Sequence, residues 1–282
     1  MLNRNIETFI ACDSEYGGAK AALFGAPFDG TVSYRPGARF GPKAMRGESF
    51  GIETYSPYQR RDLLDLAVFD CGDLELPFGS AESALKLIED RTARLLDDGK
   101  LPVMLGGEHL VTLGAFRAVY AKCPGARVLH FDAHADLRDD YLGDALSHAA
   151  VMRRVWELTG DGGIYQFGIR SGERAEFDFA AAHTNMTMFG FDGLERAAWE
   201  LAGTPVYFTL DLDILDPSVL PGTGTPEPGG VSFRELLDAV LMLKGLNVVG
   251  LDICELSPHY DQSGASTAAA CKILRELLLV ML

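Results

Sequence analysis

Three short segments of the chain combine carboxylates and imidazoles at spacings that suit metal binding. They read Gly-Gly-Glu-His at 106–109, Asp-Ala-His-Ala-Asp at 132–136 and Asp-Leu-Asp at 211–213. In extended backbone, residues two apart point to the same side, so the alternate residues of the second and third segments can each face one point. The paired glycines let the histidine of the first segment approach closely. We therefore predict one pocket lined by four carboxylates and two imidazoles: His109, Asp132, His134, Asp136, Asp211 and Asp213.

The four carboxylates give this pocket a negative charge that cations would balance. Crowded carboxylates repel one another, and their pKa values would rise until some were protonated. Two divalent cations remove this penalty, because their positive charge balances the four carboxylates. A donor set of carboxylates and imidazoles without thiolate suits Mn²⁺, with Co²⁺, Fe²⁺ or Zn²⁺ as substitutes. Since two metals about 3.5–4 Å apart are a recurrent hydrolytic device, we predict a hydrolase with two Mn²⁺ per subunit that holds a hydroxide between them.

The three segments follow apolar runs that are typical of strands. We predict strands at 21–25, 66–70, 101–105, 128–131, 164–169, 206–210 and 248–252. Helical spacing predicts helices at 82–96 (with Ser80 as N-cap), 111–120, 148–158, 232–243 and 266–282. Because the strands are apolar throughout, they are expected to be covered on both faces. We therefore predict a three-layer α/β/α fold with a mainly parallel central sheet, in a single domain over residues 1–282, whose ligands bind at the carboxyl ends of the strands.

Composition excludes several classes of protein. The 282 residues are 48% hydrophobic and 23% charged, with a net charge of −15, which is typical of a globular chain. The acidic surplus argues against a nucleic-acid partner and favours a small cationic ligand. Five scattered cysteines indicate reduced thiols and a cytoplasmic location. Residues 1–6 lack the apolar core of a signal peptide, and no apolar run is long enough to span a membrane.

Other polar residues near these motifs have simpler interpretations. His130 lies inside a strand and is expected to be a core histidine with satisfied hydrogen bonds. Glu108 is expected to support a ligand or cap a helix, although its position beside His109 leaves metal binding open. Asp216 precedes a proline and is expected to form a turn. His183 and His259 belong to no motif, so we interpret them as surface or loop residues.

Taken together, the motifs resemble a known family. Besides those above, they are Val-Ser-Tyr-Arg-Pro-Gly-Ala-Arg-Phe-Gly-Pro at 32–42, Phe at 131, Ser-His at 147–148, Phe-Gly-Ile-Arg-Ser at 167–171, Ile-Leu-Asp-Pro at 214–217, Pro-Gly-Thr-Gly-Thr-Pro-Glu at 221–227, and Glu255. With them the chain resembles the ureohydrolases, the arginase and agmatinase family, over almost its whole length, and most of all the bacterial agmatinases. The resemblance implies an arginase-like fold and a homotrimer or homohexamer.

The resemblance also implies roles for single residues. One metal would be held by His109, Asp132, Asp136 and Asp211, and the other by Asp132, His134, Asp211 and Asp213. By the same resemblance, Glu255 holds the guanidinium group, His148 carries a proton to the leaving amine, and Asp136 also accepts a hydrogen bond from the hydroxide. The chain departs from the family after His148, where Ala149 and Ala150 replace the more usual Gly, Ser or Thr.

The substrate tail is expected to meet the loop at 137–147. Its carboxylates, Asp139, Asp140 and Asp144, favour an amine tail as in agmatine, whereas Arg138 could recruit a carboxylate as in 4-guanidinobutyrate. We therefore expect hydrolysis of agmatine to putrescine and urea, a reaction of polyamine biosynthesis. The alternative is a sibling hydrolase of 4-guanidinobutyrate, arginine or formiminoglutamate. A scaffold that has lost catalysis is disfavoured because all six ligands are present, and a mono-zinc deacetylase would need fewer carboxylates.

Overall fold

The computed structural model describes residues 7–282, so the segment 1–6, where we predict no signal peptide, lies outside the described residues. The described residues form ten strands: β1 (Ala21–Ala26), β2 (Tyr55–Ser56), β3 (Arg61–Asp62), β4 (Val68–Asp73), β5 (Leu101–Gly106), β6 (Arg127–Phe131), β7 (Ile164–Ile169), β8 (Asn185–Met188), β9 (Pro205–Asp211) and β10 (Asn247–Cys254).

Eight α-helices accompany these strands over residues 7–282: α1 (Gly41–Glu48), α2 (Ala81–Asp97), α3 (Val111–Lys122), α4 (Val151–Thr159), α5 (Arg174–His183), α6 (Leu194–Glu200), α7 (Phe233–Met242) and α8 (Ala265–Met281). Short 3-10 helices lie at Ala38–Phe40, Ser49–Gly51, Leu63–Asp65, His148–Ala150, Leu212–Ile214 and Pro258–Tyr260. In this part of the chain, no helix has both the length and the apolar character needed to cross a membrane.

Eight of the strands form one sheet in the order β4-β1-β5-β10-β9-β6-β7-β8, and every neighbouring pair is parallel. Strands β2 and β3 form a separate antiparallel pair. Between β5 and β6 the chain crosses two positions of the sheet, and β9 and β10 later fill them. The central four strands, β5, β10, β9 and β6, therefore end side by side at one edge of the sheet.

Helices cover both faces of this sheet, which explains why the strands are apolar throughout. On β9, Phe208 packs into a core shared with α7 and α8, whereas its neighbour Tyr207 packs into a second core shared with α2 and α3. Both side chains are almost fully buried. The three-layer α/β/α architecture predicted from the sequence is thereby confirmed.

One predicted strand differs from the structure. The strand expected at 66–70 occupies Val68–Asp73, because Leu63–Asp65 first form a 3-10 helix. It also continues past its predicted end at residue 70, through the Cys-Gly-Asp sequence at 71–73. Gly72 adopts a φ of +74° within it, and the pairing with β1 shifts register there. The strand therefore continues past a glycine whose positive φ is more typical of a turn.

Several elements were not predicted from the sequence. Strand β8 lies at the edge of the sheet and is only half-buried, so it shows no continuous apolar run. Helix α1 begins with Gly-Pro and contains Gly47, and helix α6 has only seven residues. Helix α5 begins with a capping box between Glu173 and Glu176. Such helices are set by tertiary packing more than by local periodicity.

Candidate active site

The candidate site lies where the four central strands end. His109 follows β5, the 132–136 segment follows β6, Asp211 ends β9, and Glu255 follows β10. The carboxyl ends of adjacent parallel strands meet at one edge, so residues far apart in sequence become neighbours. The structure brings the six predicted metal ligands together at this edge, with Glu255 beside them.

Two glycines let β5 deliver His109 to this edge. A Cβ atom on Gly107 would lie 1.8 Å from the carbonyl oxygen of Phe28, and one on Gly106 would lie 2.4 Å from the Cys254 Sγ. Any side chain at these positions would push apart the neighbouring backbone. The close approach lets the main-chain N–H of His109 donate to Glu255 Oε1 at 2.8 Å.

Two of the candidate residues have strained backbones. Asp136 has a φ of +53° and Glu255 a φ of +66°, a region that side chains other than glycine rarely adopt. Both are held there by hydrogen bonds: the Asp136 carbonyl accepts from the main-chain N–H groups of Met152 and Arg153, and the Glu255 N–H donates to the Gly107 carbonyl. Strain of this kind concentrates at functional sites, where the fold fixes a side-chain direction.

His109 faces three carboxylates from two strand ends. Its Nδ1 lies 3.0 Å from Asp132 Oδ2, 3.1 Å from Asp136 Oδ2 and 3.5 Å from Asp211 Oδ2. The imidazole is buried, and Nδ1 makes no hydrogen bond with acceptable geometry to any of residues 7–282. A buried nitrogen surrounded by carboxylate oxygens requires a positive charge between them.

The other nitrogen of His109 indicates which charge fits. Its Nε2 lies 2.8 Å from the hydroxyl of Thr209, and that hydroxyl donates its own proton to Asp252 Oδ1 at 2.6 Å. The hydroxyl can therefore only accept from Nε2–H, which leaves the lone pair of a neutral imidazole on Nδ1. This is the tautomer of a metal-binding histidine whose second nitrogen is fixed by a hydrogen bond.

A proton would take this place in the absence of another cation. Burial lowers the pKa of His109, but the adjacent negative charges of Asp132 and Asp136 outweigh it and raise the pKa well above its usual range. The site thus attracts positive charge at Nδ1, and the donor set of oxygens and imidazole nitrogens fits a divalent cation.

A second group of ligands adjoins the first. His134 Nδ1 lies 3.0 Å from Asp213 Oδ2 and 3.6 Å from Asp132 Oδ1. Asp132 therefore presents one oxygen to His109 and the other to His134, which is the arrangement of a bridging carboxylate. Asp211 Oδ1 accepts from the Asp213 N–H at 2.8 Å, and its Oδ2 faces His109. Asp132 and Asp211 therefore each contact residues of both ligand groups.

Two of the carboxylates carry the electrostatic penalty expected of such crowding, whereas three neighbouring histidines outweigh burial at Asp132 and lower its pKa well below the usual range. Burial, Asp213 and Asp132 together raise the pKa of Asp211 well above its usual range. Burial, Glu108 and Asp213 do the same to Glu255. Cations in the site would reverse both shifts, because they favour the ionised carboxylates. The residues therefore fit a pair of divalent metal ions.

An open cavity lies above the ligands, and its lining includes His109, Asp136, Arg138, His148, Asp211 and Glu255. His148 begins a 3-10 helix after Ser147, and its Nε2 lies 3.2 Å from the Ser33 hydroxyl. Burial lowers the pKa of His148, which favours the neutral imidazole at neutral pH. A neutral imidazole with one nitrogen at the cavity can accept and return a proton.

The structure does not bring the three aspartates of the 137–147 loop to this cavity. None of Asp139, Asp140 and Asp144 is among the residues that line it within the described part of the chain. Asp139 forms an ion pair with Arg154 at 3.3 Å, whereas Asp140 and Asp144 accept main-chain N–H groups inside the loop. Their carboxylates are used to shape the loop, so the contact with a substrate tail expected from the sequence is not seen in the geometry.

Besides the predicted ligands and Glu255, the acidic residues that line the cavity are Glu173 and Glu176, at the start of α5. Arg138 donates to Glu173 Oε1 at 2.7 Å, and its Nε lies 3.6 Å from Glu176 Oε2. Sequence reasoning missed both glutamates, although the spacing of two acids three apart could have indicated a helix start. Their proximity to Arg138 depends on the packing of α5 and cannot be read from spacing.

The residues with simpler interpretations lie as follows. His130 Nε2 donates to Asp132 Oδ2 at 2.8 Å and its Nδ1 accepts from Gln166, so both ring nitrogens are satisfied within the core. Glu108 accepts hydrogen bonds from the N–H and the hydroxyl of Thr31, so it supports the site without facing His109 Nδ1. Asp216 accepts four hydrogen bonds within a turn. His183 is hydrogen-bonded to Asp161, and the ring of His259 stacks on Phe40.

Arg170 is a further supporting residue that sequence reasoning did not single out. One guanidinium nitrogen donates to the carbonyls of Asp213 at 2.8 Å and Glu227 at 2.7 Å, and another donates to that of Ile214 at 3.2 Å. It thereby joins the Asp213 backbone to the glycine-rich 221–227 loop. The Thr225 hydroxyl in that loop donates to Asp213 Oδ2 at 3.2 Å, which helps to orient the carboxylate.

Comparisons with known proteins cover nearly the whole chain. The model of the arginase family matches residues 19–280. An agmatinase of Bacillus subtilis is 47% identical over 278 residues, which cover 97% of this chain and 96% of the relative. An agmatinase of Bacillus cereus is 46% identical with the same coverage. The crystal structure of a candidate agmatinase from Clostridium difficile, 51% identical, has a TM-score of 0.92 and covers 95% of this chain and 98% of that one.

Proposed function

The chain belongs to the arginase family, as its motifs predict, and from this membership we propose that it hydrolyses the guanidinium group of agmatine to give putrescine and urea. The observation that carries the proposal is the buried Nδ1 of His109 among three carboxylate oxygens, beside the carboxylate of Glu255. Such a site combines a place for divalent cations with a place for a cationic substrate.

Two Mn²⁺ ions would share the ligands: His109, Asp132, Asp136 and Asp211 for one, and Asp132, His134, Asp211 and Asp213 for the other. When bound, such a pair lowers the pKa of a shared water and supplies hydroxide at neutral pH. Guanidines need a strong nucleophile, because the guanidinium stays protonated and resonance makes its carbon a poor electrophile. The hard oxygen-rich donor set favours Mn²⁺ among the possible metals.

Glu255 would bind the substrate guanidinium. Its side chain is 4% exposed, and Oε1 already accepts from the His109 N–H. A Cβ on Gly224 would lie 3.6 Å from Oε2, so this glycine leaves room beside the second oxygen. A carboxylate in a buried site recognises a planar guanidinium through paired charge-assisted hydrogen bonds. The cationic substrate would in turn keep Glu255 ionised despite its burial.

His148 would supply the proton that the leaving amine needs. His148 lines the cavity together with Ser33, whose hydroxyl contacts its Nε2. Imidazole is the side chain best suited to this transfer near neutral pH. Asp136 lines the same cavity and would accept a hydrogen bond from the tetrahedral intermediate.

The charges of Arg138, Glu173 and Glu176 in the cavity lining favour a substrate with an amine tail over one with a carboxylate tail. Arg138 is the basic residue of the 137–147 loop that could attract a carboxylate, but it forms an ion pair with Glu173 and lies near Glu176. Two glutamates for one arginine leave no surplus positive charge for 4-guanidinobutyrate. An ammonium group, as in agmatine, would meet carboxylate oxygens instead.

Initial rates on a substrate panel test this proposal. The protein is reconstituted with Mn²⁺, and urea is measured with agmatine, 4-guanidinobutyrate and arginine at equal concentrations, while glutamate release is measured with formiminoglutamate. We expect agmatine to give the highest kcat/KM, with putrescine formed in equal amount to urea. A higher kcat/KM for any other substrate would contradict the choice of agmatine, and no product from any of them would contradict the guanidine hydrolase.

A further inference from the structure

The segment between β1 and α1 reaches across the cavity to His148. Ser33 and His148 are 115 residues apart in sequence, yet the Ser33 hydroxyl lies 3.2 Å from His148 Nε2. Both residues line the cavity above the metal ligands. Neither the metal centre nor the guanidinium site described above gives this contact a role.

The same segment also holds the backbone of His148. The Thr31 hydroxyl accepts from the main-chain N–H of His148 at 3.1 Å. Thr31 is in turn held by the buried carboxylate of Glu108, which accepts from its N–H at 2.9 Å and from its hydroxyl at 2.5 Å. A continuous chain of hydrogen bonds therefore connects the end of β5 with the start of the 148–150 helix.

The imidazole has few other contacts that could fix its orientation. Its Nδ1 is buried and makes no hydrogen bond to any of residues 7–282. The ring of Tyr141 approaches edge-on, with centroids 6.0 Å apart. Ser33 thus supplies the polar contact to the ring, and it contacts Nε2, whereas Nδ1 is the buried nitrogen.

We propose that Ser33, which contacts the ring, and the Glu108–Thr31 pair, which holds the His148 main chain, together position the imidazole for proton transfer to the leaving amine. A hydroxyl can donate to a bare ring nitrogen and accept from a protonated one. The hydroxyl can therefore hold the ring before and after the transfer, whereas Nε2 turns its proton to the leaving amine during the transfer itself. Ser33 acts here through His148 as a positioning residue, and this role rests on the proposed function.

Kinetics of Ser33→Ala and Ser33→Thr test the role. Losing one hydrogen bond that orients the ring is expected to lower kcat for agmatine about threefold to tenfold, with KM and bound metal unchanged. Ser33→Thr keeps the hydroxyl and should retain most of the wild-type kcat. Ser83→Ala, which removes an exposed hydroxyl on α2, serves as the matched control and should leave kcat unchanged.

A double-mutant cycle separates positioning from a direct contact with substrate. If Ser33 acts through His148, Ser33→Ala should cost nothing further in a His148→Ala background. An equal loss in both backgrounds, or a rise in KM with kcat unchanged, would overturn the proposal. So would a Ser33→Ala variant that keeps the kcat of the wild type.

An NMR measurement keeps this inference distinct from the proposed function. In metal-free protein, the ¹⁵N shift of His148 Nε2, assigned with His148→Ala, should move in Ser33→Ala and stay near wild type in Ser33→Thr. An unchanged shift in Ser33→Ala would mean that the hydrogen bond does not form in solution. Failure of the wild type to release urea would contradict the proposed function, whereas this shift would still decide whether Ser33 holds the ring.

Discussion

His109 illustrates how a single buried side chain can specify a metal site. Thr209 and Asp252 fix its Nε2 as a donor, so Nδ1 faces Asp132, Asp136 and Asp211 with a lone pair. The Nδ1 lone pair and the three carboxylates are all acceptors, so they cannot hydrogen-bond to one another and need a cation between them. Three carboxylates around the lone pair of a neutral imidazole therefore favour binding of a divalent cation on electrostatic grounds.

Replacing Asp211 with Asn tests the bridging position. Asn has nearly the same shape but no charge, so the 3% exposed site should still fold. We expect bound Mn²⁺ to fall below two per chain, and urea release from agmatine to fall at least about 100-fold. Metal content by elemental analysis and initial rates measure the two effects.

Asp238→Asn is the matched control for this variant, because Asp238 lies partly exposed on α7, away from the candidate site, and forms an ion pair with Arg234. It should keep both metals and the wild-type rate. An Asp211→Asn protein with two metals and full activity would show that Asp211 is not a bridging ligand.

The guanidinium site can be tested separately from the metals. Glu255→Gln keeps an acceptor for the His109 N–H but removes the charge that would pair with the substrate. We expect kcat/KM for agmatine to fall about 10- to 100-fold, while two Mn²⁺ stay bound. Unchanged kcat/KM in this variant would exclude Glu255 as the guanidinium partner.

At this scale the sequence predicted the six side chains that the structure brings together, but, apart from Glu108, not the residues that support them. Alternate residues after a strand share a face, so the six side chains could be grouped from spacing alone. Ser33, Thr209 and Glu173 contact site residues that are distant in sequence, and no local pattern records such contacts. Asp139 was expected at the substrate because its charge is visible in sequence, whereas its ion pair with Arg154 is not.

Among the elements, the four central strands determine the geometry of the site. Crossing from β5 to β6 leaves two positions that β9 and β10 fill, so residues from distant parts of the chain end at one edge. The glycines after β5 and the left-handed backbone of Asp136 and Glu255 then turn the side chains toward a common centre. The site is thus mounted on strand ends, which position side chains more rigidly than long loops do.

A turn beside the site offers a prediction about stability and pH. The Asp216 carboxylate accepts from the Ser218 hydroxyl and N–H and from the N–H groups of Gly229 and Gly230, which lowers its pKa to about 2. The pKa of an unfolded aspartate is about 3.9. Because the folded pKa is lower than the unfolded one, the carboxylate stabilises the fold fully above a pH of about 3.9. This stabilisation disappears as the pH falls toward 2.

Asp216→Asn should therefore lower the free energy of unfolding by about 1 kcal/mol at pH 7, a modest figure because the turn is solvent-accessible. The difference from the wild type should shrink at pH 3. Unfolding in guanidinium chloride at both pH values measures it. A difference that stays constant between them would mean that the carboxylate charge does not stabilise the turn.

The elements also show where sequence prediction is reliable. Strands β1, β5, β7 and β9 were predicted to within one residue at each end, because they are almost entirely buried and mostly apolar. Edge strand β8 escaped prediction because its exposed face weakens the apolar signal. Helix α1 escaped because tertiary packing holds a sequence with poor helix propensity.

In the whole molecule, the proposed metal centre ties together three segments that span more than a hundred residues. A ligand that binds the folded chain and not the unfolded one stabilises it by mass action, by about 2.7 kcal/mol at 100 times Kd. Mn²⁺ should therefore raise the Tm of metal-free protein by roughly 5 °C or more. Differential scanning calorimetry measures the shift, and an unchanged Tm with Mn²⁺ in excess would argue against the centre.

The net charge of −15 fits the same account at long range. An acidic molecule attracts divalent cations and a dicationic substrate, and it repels polyanions such as nucleic acids. This part of the interpretation was available from composition alone. The assembly of subunits was not, because oligomer contacts leave no spacing pattern in the chain, and the homotrimer or homohexamer remains a prediction.

A metal titration followed by urea release tests the central claim most directly. Metal-free protein is given increasing amounts of Mn²⁺, and bound metal and the rate of urea release from agmatine are measured at each step. The account predicts that the rate rises until two Mn²⁺ are bound per chain and then stays constant. Full activity at one bound metal, or no urea at two, would contradict it.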